Sequence, residues 1–363
     1  MQLSRILLAV VLQWILWISG SWAANASSPL VPAYFIFGDS LVDVGNNNHL
    51  FTLAKSNFHP YGVDFDTHIA TGRFSNGRVS VDYLTELLGL PFVPAYLDPS
   101  TKGSKLLLGV NFASSGSGIL DFTGKIFGQN MPMGSQLKSM HKVKQEIQEL
   151  IGEKRTRTLL SKALFSVVTG SNDYLNNYLV RPREGTPAQF QALLLSSLKS
   201  QLQELYNIGA RKLHVVSMPP IGCCPQSLFK FGSKNDECID FVNKLAVDYN
   251  VGLKSLLVEV ERSLPGLRTV YTDSYYSFMS IYNNPSQHAG FKVTGTACCG
   301  IGPYRGSFFC LPKVPYCSNP SQHIFFDEFH PTAGVARDVA IKAFRGGPDV
   351  NHPINVYQLV TSS

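Results

Sequence analysis

Five short apolar runs set the frame of this 363-residue chain: Ala33 to Phe37, Leu106 to Ala113, Ala163 to Thr169, Lys212 to Ser217 and Leu267 to Thr272. All are of strand length, and the first four run into turn signals. Stretches of helical spacing lie between them. Arg78 to Leu88 ends at Gly89, and Gln136 to Ile151 carries Leu137, Met140, Val143, Ile147 and Ile151 along one side. Thr186 and Pro187 open a helix whose Phe190, Leu194, Leu198 and Leu202 recur every four residues until Gly209. Asp236 to Arg262 repeats the pattern with Leu245, Tyr249, Leu253, Leu256 and Val260, and a last helix is expected from near Thr332. Alternating strands and helices bury both faces of a parallel sheet, so the chain is expected to form a three-layer α/β/α domain around five strands.

In such sheets ligands bind beyond the carboxyl ends of the strands. Ser40, Gly116 and Asn172 all follow strand ends and should therefore meet on one edge. A serine hydroxyl needs a neighbouring base to act as a nucleophile. His330 is the best candidate, because Asp327 three residues earlier can orient its ring and stabilise the imidazolium. Phe325, Phe326 and Phe329 would keep that pair partly dry. Acyl transfer also needs donors for a developing oxyanion; the Ser40 and Gly116 amides and the Asn172 side chain supply three. His323 lies near enough for a metal site with Asp327 and His330 to be weighed, but the Ser–His–Asp arrangement is the better use of the same residues. The turn-rich connection from Asn46 to Asn76 either shapes a substrate entrance or packs as a structural loop.

The N-terminus has Arg5, an apolar run from Ile6 to Ile18 and then small residues, the order of a secretory leader cleaved after Ala23. That run is short for a membrane span, and no later stretch free of charge approaches it. A 1–23 leader and a single 24–363 domain are thus expected, with Asn25 in the only proline-free glycosylation sequon. The net charge is +6, or +5 once Arg5 is removed, and the basic residues are dispersed, which argues against nucleic acid as a partner. All seven cysteines lie between Cys223 and Cys317. In an oxidising compartment they read as disulfides with one thiol left over; adjacent pairs such as Cys223-Cys224 suit zinc poorly.

Four blocks spread along the chain resemble the plant GDSL esterases/lipases of the SGNH hydrolase superfamily. Phe37 to Asn47, with Gly38-Asp39-Ser40-Leu41 inside it, is similar to the nucleophile block; Gly109 to Gly116 to the glycine block; Gly170 to Asp173 to the asparagine block; and Asp327 to Thr332 to the block bearing Asp and His. The resemblance spans residues 33 to about 345. It implies a flavodoxin-like fold and no metal or organic cofactor, with Ser40 as nucleophile, His330 as base and acid, and Asp327 as its partner. It further implies an oxyanion hole of Ser40, Gly116 and Asn172. The expected protein is a carboxylic-ester hydrolase acting on lipid or other small acyl esters, secreted to the apoplast or cell wall. An alcohol acceptor would make the same site a transferase that builds polyesters. A binding protein on the same fold would have a broken site, and this sequence breaks neither triad nor oxyanion set. Phe326 stands where the family often has Trp. Cys224 is an extra thiol after the matching Cys223, which makes it the candidate for the unpaired one. Proximity pairs Cys223 with Cys238 and leaves Cys298, Cys299, Cys310 and Cys317 to one another.

Overall fold

The computed structural model describes residues 28–180, 185–288 and 290–362; the expected leader and the Asn25 sequon lie outside them. Strands β1 (Tyr34–Gly38), β2 (Leu164–Val168), β3 (Lys212–Val216) and β4 (Arg268–Thr272) pair in parallel in that spatial order. A two-residue β5 (Asn351–His352) closes the far edge antiparallel to β4. Helices α1 (Ser80–Leu87), α2 (Met133–Ile151), α3 (Glu153–Lys162), α4 (Pro187–Ile208), α5 (Pro225–Phe231), α6 (Asp240–Ser263), α7 (Ser274–Asn283), α8 (Ala333–Arg345) and α9 (Val356–Thr361) surround the sheet.

Alternation along the strands divides the core. Phe35, Phe37, Phe165, Val167, Leu213 and Val215 pack on one face with Leu137 and Met140 of α2, Leu194 and Leu198 of α4, and Tyr249 and Leu253 of α6. Tyr34, Ile36, Leu164 and Val270 face the other way, against Val81 and Leu84 of α1, Phe344 of α8 and Val356 and Leu359 of α9. The three-layer α/β/α reading holds. One line of polar side chains crosses the second face. Tyr34 Oη donates to Ser166 Oγ (2.9 Å), Ser166 Oγ lies 2.9 Å from His214 Nδ1, His214 Nε2 lies 3.0 Å from Thr272 Oγ1, and Thr272 Oγ1 donates to Asn351 Oδ1 (2.8 Å). Burial pushes the His214 imidazole down to about 4, which fits a neutral ring that accepts at one nitrogen and donates at the other.

Two sequence expectations need correction. Leu106 to Ala113 is not a strand. Gly103–Leu108 winds into a 3-10 helix, and only a single bridge joins Asn111 to Ile36. The segment still lies on the outer edge of β1, where Ile36 N–H donates to Val110 O and Phe112 N–H to Ile36 O. Gln136 Oε1 accepts the Gly38 N–H that a regular ladder would give to Phe112 O, and the Asn46 amide holds the carbonyls of Asn111 and Ala113 on the side away from β1. The fifth strand is instead β5, and it runs antiparallel. The helix near Thr332 is also not the last, because β5 and α9 follow it.

Cys223–Cys238, Cys298–Cys317 and Cys299–Cys310 are bonded, and Cys224 is a buried free thiol. Burial pushes that thiol up to about 11. Among the described residues no helix is long and apolar enough to cross a membrane.

Candidate active site

The nucleophile turn is made by backbone geometry. Gly38 ends β1 at φ +151°, and a Cβ there would sit 2.1 Å from Val168 O, so a side chain would force β1 away from β2. Gln136 of α2 clamps the same peptide, accepting from Gly38 N–H (2.9 Å) and donating to Gly38 O (2.8 Å). Beyond Ser40 the buried Asp43 carboxylate accepts from the N–H groups of Gly45 and Asn46 and reaches across to Ser115 N–H at 3.1 Å. Asn47 adds a donor to Ser115 O and an acceptor for Ser114 Oγ. The loop after Ser40 and the loop bearing Gly116 are therefore one hydrogen-bonded unit.

His330 arrives from 290 residues away with its Nε2 2.7 Å from Ser40 Oγ. Its Nδ1 lies 2.7 and 2.8 Å from the two oxygens of Asp327, and its own backbone N–H donates to Asp327 Oδ1. A carboxylate at Nδ1 fixes the tautomer: Nδ1 carries the proton, and Nε2 is free to accept the serine proton. Burial pushes the Asp327 carboxyl up, but the facing imidazole and the donors from His330, Phe329 N–H and Tyr61 outweigh it and hold the group below the ordinary value. The Tyr61 Oη donor sits 2.7 Å from Asp327 Oδ2. Phe74 packs on the imidazole, with ring centroids 4.8 Å apart.

Gly116 and Asn172 come to the same place. Among the described residues neither the Ser40 nor the Gly116 N–H has an acceptor. Asn172 donates one amide hydrogen to Ser117 O at 2.9 Å, which leaves the second, and Asn176 donates to its oxygen. The Asp173 carboxylate ties the two blocks together by accepting from Ile119 N–H, Leu120 N–H and Thr123 Oγ1. All five predicted residues of the site, Ser40, Gly116, Asn172, Asp327 and His330, lie within this one edge, and all but Asp327 line a common cavity of about 160 Å³. His323 does not join them; its Nδ1 hydrogen-bonds the Thr296 carbonyl instead.

The cavity is mostly apolar, running from Leu53 and Phe127 past Ser40 to Phe278 and Val335. Two further acids line it. Burial pushes Asp39 up to about 7 against the Leu41 N–H and the His330 charge that favour its ionised form, and among the described residues Asp39 Oδ2 has no hydrogen-bond partner. Burial, then the neighbouring Asp327 charge, holds the Glu328 carboxyl well above its ordinary value; its Oε2 is also unpartnered among the described residues. Sequence reasoning missed Tyr61, Gln136 and the bridging roles of Asp43, Asn47 and Asp173. Asp43, Asn47 and Asp173 stand inside the blocks that carried the resemblance, whereas nothing local marks Tyr61 or Gln136.

The fold is a three-layer α/β/α sheet with a serine just beyond the end of its first strand, 2.7 Å from a histidine nitrogen. The family model described as GDSL-like lipase/acylhydrolase matches residues 34–342. The chain belongs to the GDSL lipase/acylhydrolase family and is thereby a carboxylic-ester hydrolase. A GDSL esterase/lipase of Arabidopsis thaliana is 40% identical over 334 residues, covering 91% of this chain and 89% of that protein. GDSL esterase/lipase 7 of the same plant is 38% identical over 365 residues, covering 98% and 99%. Among solved structures, a catalytic mutant of an acetylxylan esterase from Geobacillus stearothermophilus overlays with a TM-score of 0.39 at 13% identity, over 85% of this chain and 91% of that one.

Proposed function

We propose that this protein is a secreted serine hydrolase that cleaves lipid or other acyl esters through an acyl-enzyme. Ser40 Oγ bonds to the ester carbonyl carbon as its proton passes to His330 Nε2. Asp327, accepting from Nδ1, stabilises the imidazolium. The oxyanion takes hydrogen bonds from the Ser40 and Gly116 amides and the spare Asn172 N–H. As the intermediate collapses, the C–O bond to the alcohol breaks and Nε2 returns the proton to that oxygen. Water then attacks the acyl-enzyme, gives a proton to Nε2, and the acid leaves as Ser40 regains it.

The observation that carries this reading is the relay of 2.7 Å contacts from Ser40 through His330 to Asp327, beside two amides without acceptors. The apolar cavity supports an acyl substrate, and the three disulfides support an oxidising, extracellular location. On this reading residues 24–363 are one hydrolase domain, released from a 1–23 leader and glycosylated at Asn25.

Hydrolysis of p-nitrophenyl esters from acetyl to palmitoyl, measured beside Ser40→Ala, tests the assignment. Activity is expected in the wild type and only background in the variant. Asn172→Ala should lose about 10²–10³ in turnover, as for other oxyanion donors. A folded wild type as silent as Ser40→Ala across all chain lengths would remove the esterase reading.

A further inference from the structure

Asn172 can serve an oxyanion only if its amide is the right way round. The two ends of a carboxamide are nearly the same size, and hydrogen bonds decide which one faces the cavity. Turned over, Asn172 would present its oxygen where the oxyanion forms, and the two negative ends would repel. Both ends are tied in the structure. The nitrogen donates to Ser117 O (2.9 Å), which only an N–H can do, and the oxygen accepts from Asn176 Nδ2 (2.5 Å).

The backbone brings Asn176 to that oxygen. Ser171–Asp173 forms one helical turn after Gly170, which has φ +119°. Tyr174–Tyr178 continues it as a wider π-helical turn, with Leu179 N–H bonded to Tyr174 O at 2.9 Å. Residues four apart on a helix share a face, and single π turns recur at functional sites. Packing fixes this turn without help from Asn176. Tyr174 and Tyr178 lie against Phe190 of α4, with ring centroids 5.4 and 4.7 Å from it, and the Asp173 carboxylate anchors the other end. Both asparagines are buried, and both line the cavity.

We propose that Asn176 is a positioning residue for the oxyanion hole: its amide holds the Asn172 oxygen away from the reacting carbonyl and so aims the spare Asn172 N–H at it. The same bond polarises the Asn172 amide, since a donor on its oxygen makes its N–H a stronger donor. Asn176 acts through Asn172 rather than on the substrate. The inference rests on the ester-hydrolase reading and on Asn172 as an oxyanion donor.

The test is a double-variant cycle on hydrolysis of p-nitrophenyl acetate, with Ser40→Ala as the blank. Asn176→Leu keeps the size of the side chain and removes the donor. Acylation and deacylation pass through the same oxyanion, so kcat should fall about tenfold while KM stays within about twofold. Affinity for a trifluoromethyl ketone, which adds to Ser40 as a tetrahedral oxyanion, should fall by the same factor as kcat. In Asn172→Ala, itself down by about 10²–10³, adding Asn176→Leu should cost less than about twofold more, because the amide to be aimed is gone. A loss that multiplies in full in both backgrounds overturns the inference and makes Asn176 a packing residue. So does a rise in KM that survives in the Asn172→Ala background, because Asn176 would then touch substrate. Wild-type turnover in folded Asn176→Leu overturns it directly. If Asn176→Leu misfolds by circular dichroism, Asn176→Ala is read in the same cycle. A wild type as silent as the blank sinks the hydrolase reading and this inference together. If instead Asn172→Ala turns over like wild type while Ser40→Ala is silent, the oxyanion role of Asn172 and this inference fall, and the serine mechanism stands.

Discussion

Tyr61 decides how strongly Asp327 can hold the imidazole. Its hydroxyl is one of the donors on the buried carboxylate, and its ring is fixed edge-on by Phe58, Phe74 and Phe326. Tyr61→Phe keeps that packing and removes the donor. The carboxylate, with one hydrogen bond fewer, becomes a stronger base toward His330, so the pair holds its proton more tightly. The acid limb of kcat/KM should move to higher pH, while kcat/KM at its plateau changes less than about tenfold, because the hydroxyl bonds the carboxylate in the ground state as well as in the transition state. A pH–rate profile checks both. An unmoved limb would make Tyr61 a packing residue only. Its role is invisible from its surroundings in the chain, His59-Pro60-Tyr61-Gly62, because its partner is 266 positions away.

At the scale of elements, the loops after the strands do the assembling. The Asn46–Asn76 connection is both entrance and structure. Its first part forms the mouth, while Asn76 accepts from the first N–H of α8 and Ser75 donates to Pro331 O, which pins the segment carrying His330. Arg73 binds both oxygens of Asp82 at 2.7 Å and ties the loop to α1. The Cys-rich segment braces the other side, since Cys298 and Cys299 N–H donate to the carbonyls of Phe325 and Phe326 just ahead of Asp327. The Cys299–Cys310 bond closes 11 residues and holds Phe309, Cys310 and Leu311 in the cavity wall. Replacing both cysteines by Ser should cost about 3 kcal/mol of stability by loop-closure entropy. Turnover of palmitoyl esters should suffer more than that of acetyl esters, because a long chain needs the wall and a short one does not. Thermal unfolding and the chain-length profile of the double variant check the two parts separately.

For the whole molecule, burial of acids at the sheet edge makes stability depend on pH. The folded-state value of Asp39 is raised to about 7 from 3.8. Its contribution is therefore fully present below about 3.8 and is lost as pH rises through 7, since the unfolded chain releases the proton first. Asp39→Asn stays neutral and still offers an acceptor to Leu41 N–H. Its melting temperature relative to wild type should rise between pH 4 and 7 and then level off, with a difference of at most about 4 kcal/mol. A constant offset across that range would mean that Asp39 is ionised throughout in the folded protein.

The sequence by itself determined the layers and named the side chains that meet at one edge of the sheet. Apolar runs of strand length, helices repeating every three to four residues and the capping pair Thr186–Pro187 are local patterns with local causes, and they located β1 to β4, α2, α4 and α6. Ser40, Gly116, Asn172, Asp327 and His330 were legible because each follows a strand end or sits in a compact motif whose residue types suit acyl transfer. Tertiary structure decided what depends on partners far along the chain. The Leu106 to Ala113 run has strand composition, yet Gln136 takes the Gly38 N–H that would extend its ladder, and only isolated bridges remain at Asn111. The fifth strand lies on the opposite edge beside β4 and is only Asn351 and His352, too short a pair to register as a pattern. Tyr61 and Gln136 likewise acquire meaning only when the chain brings them against Asp327 and Gly38. Period and propensity act over a few residues, whereas hydrogen bonds and burial act wherever the chain brings groups together.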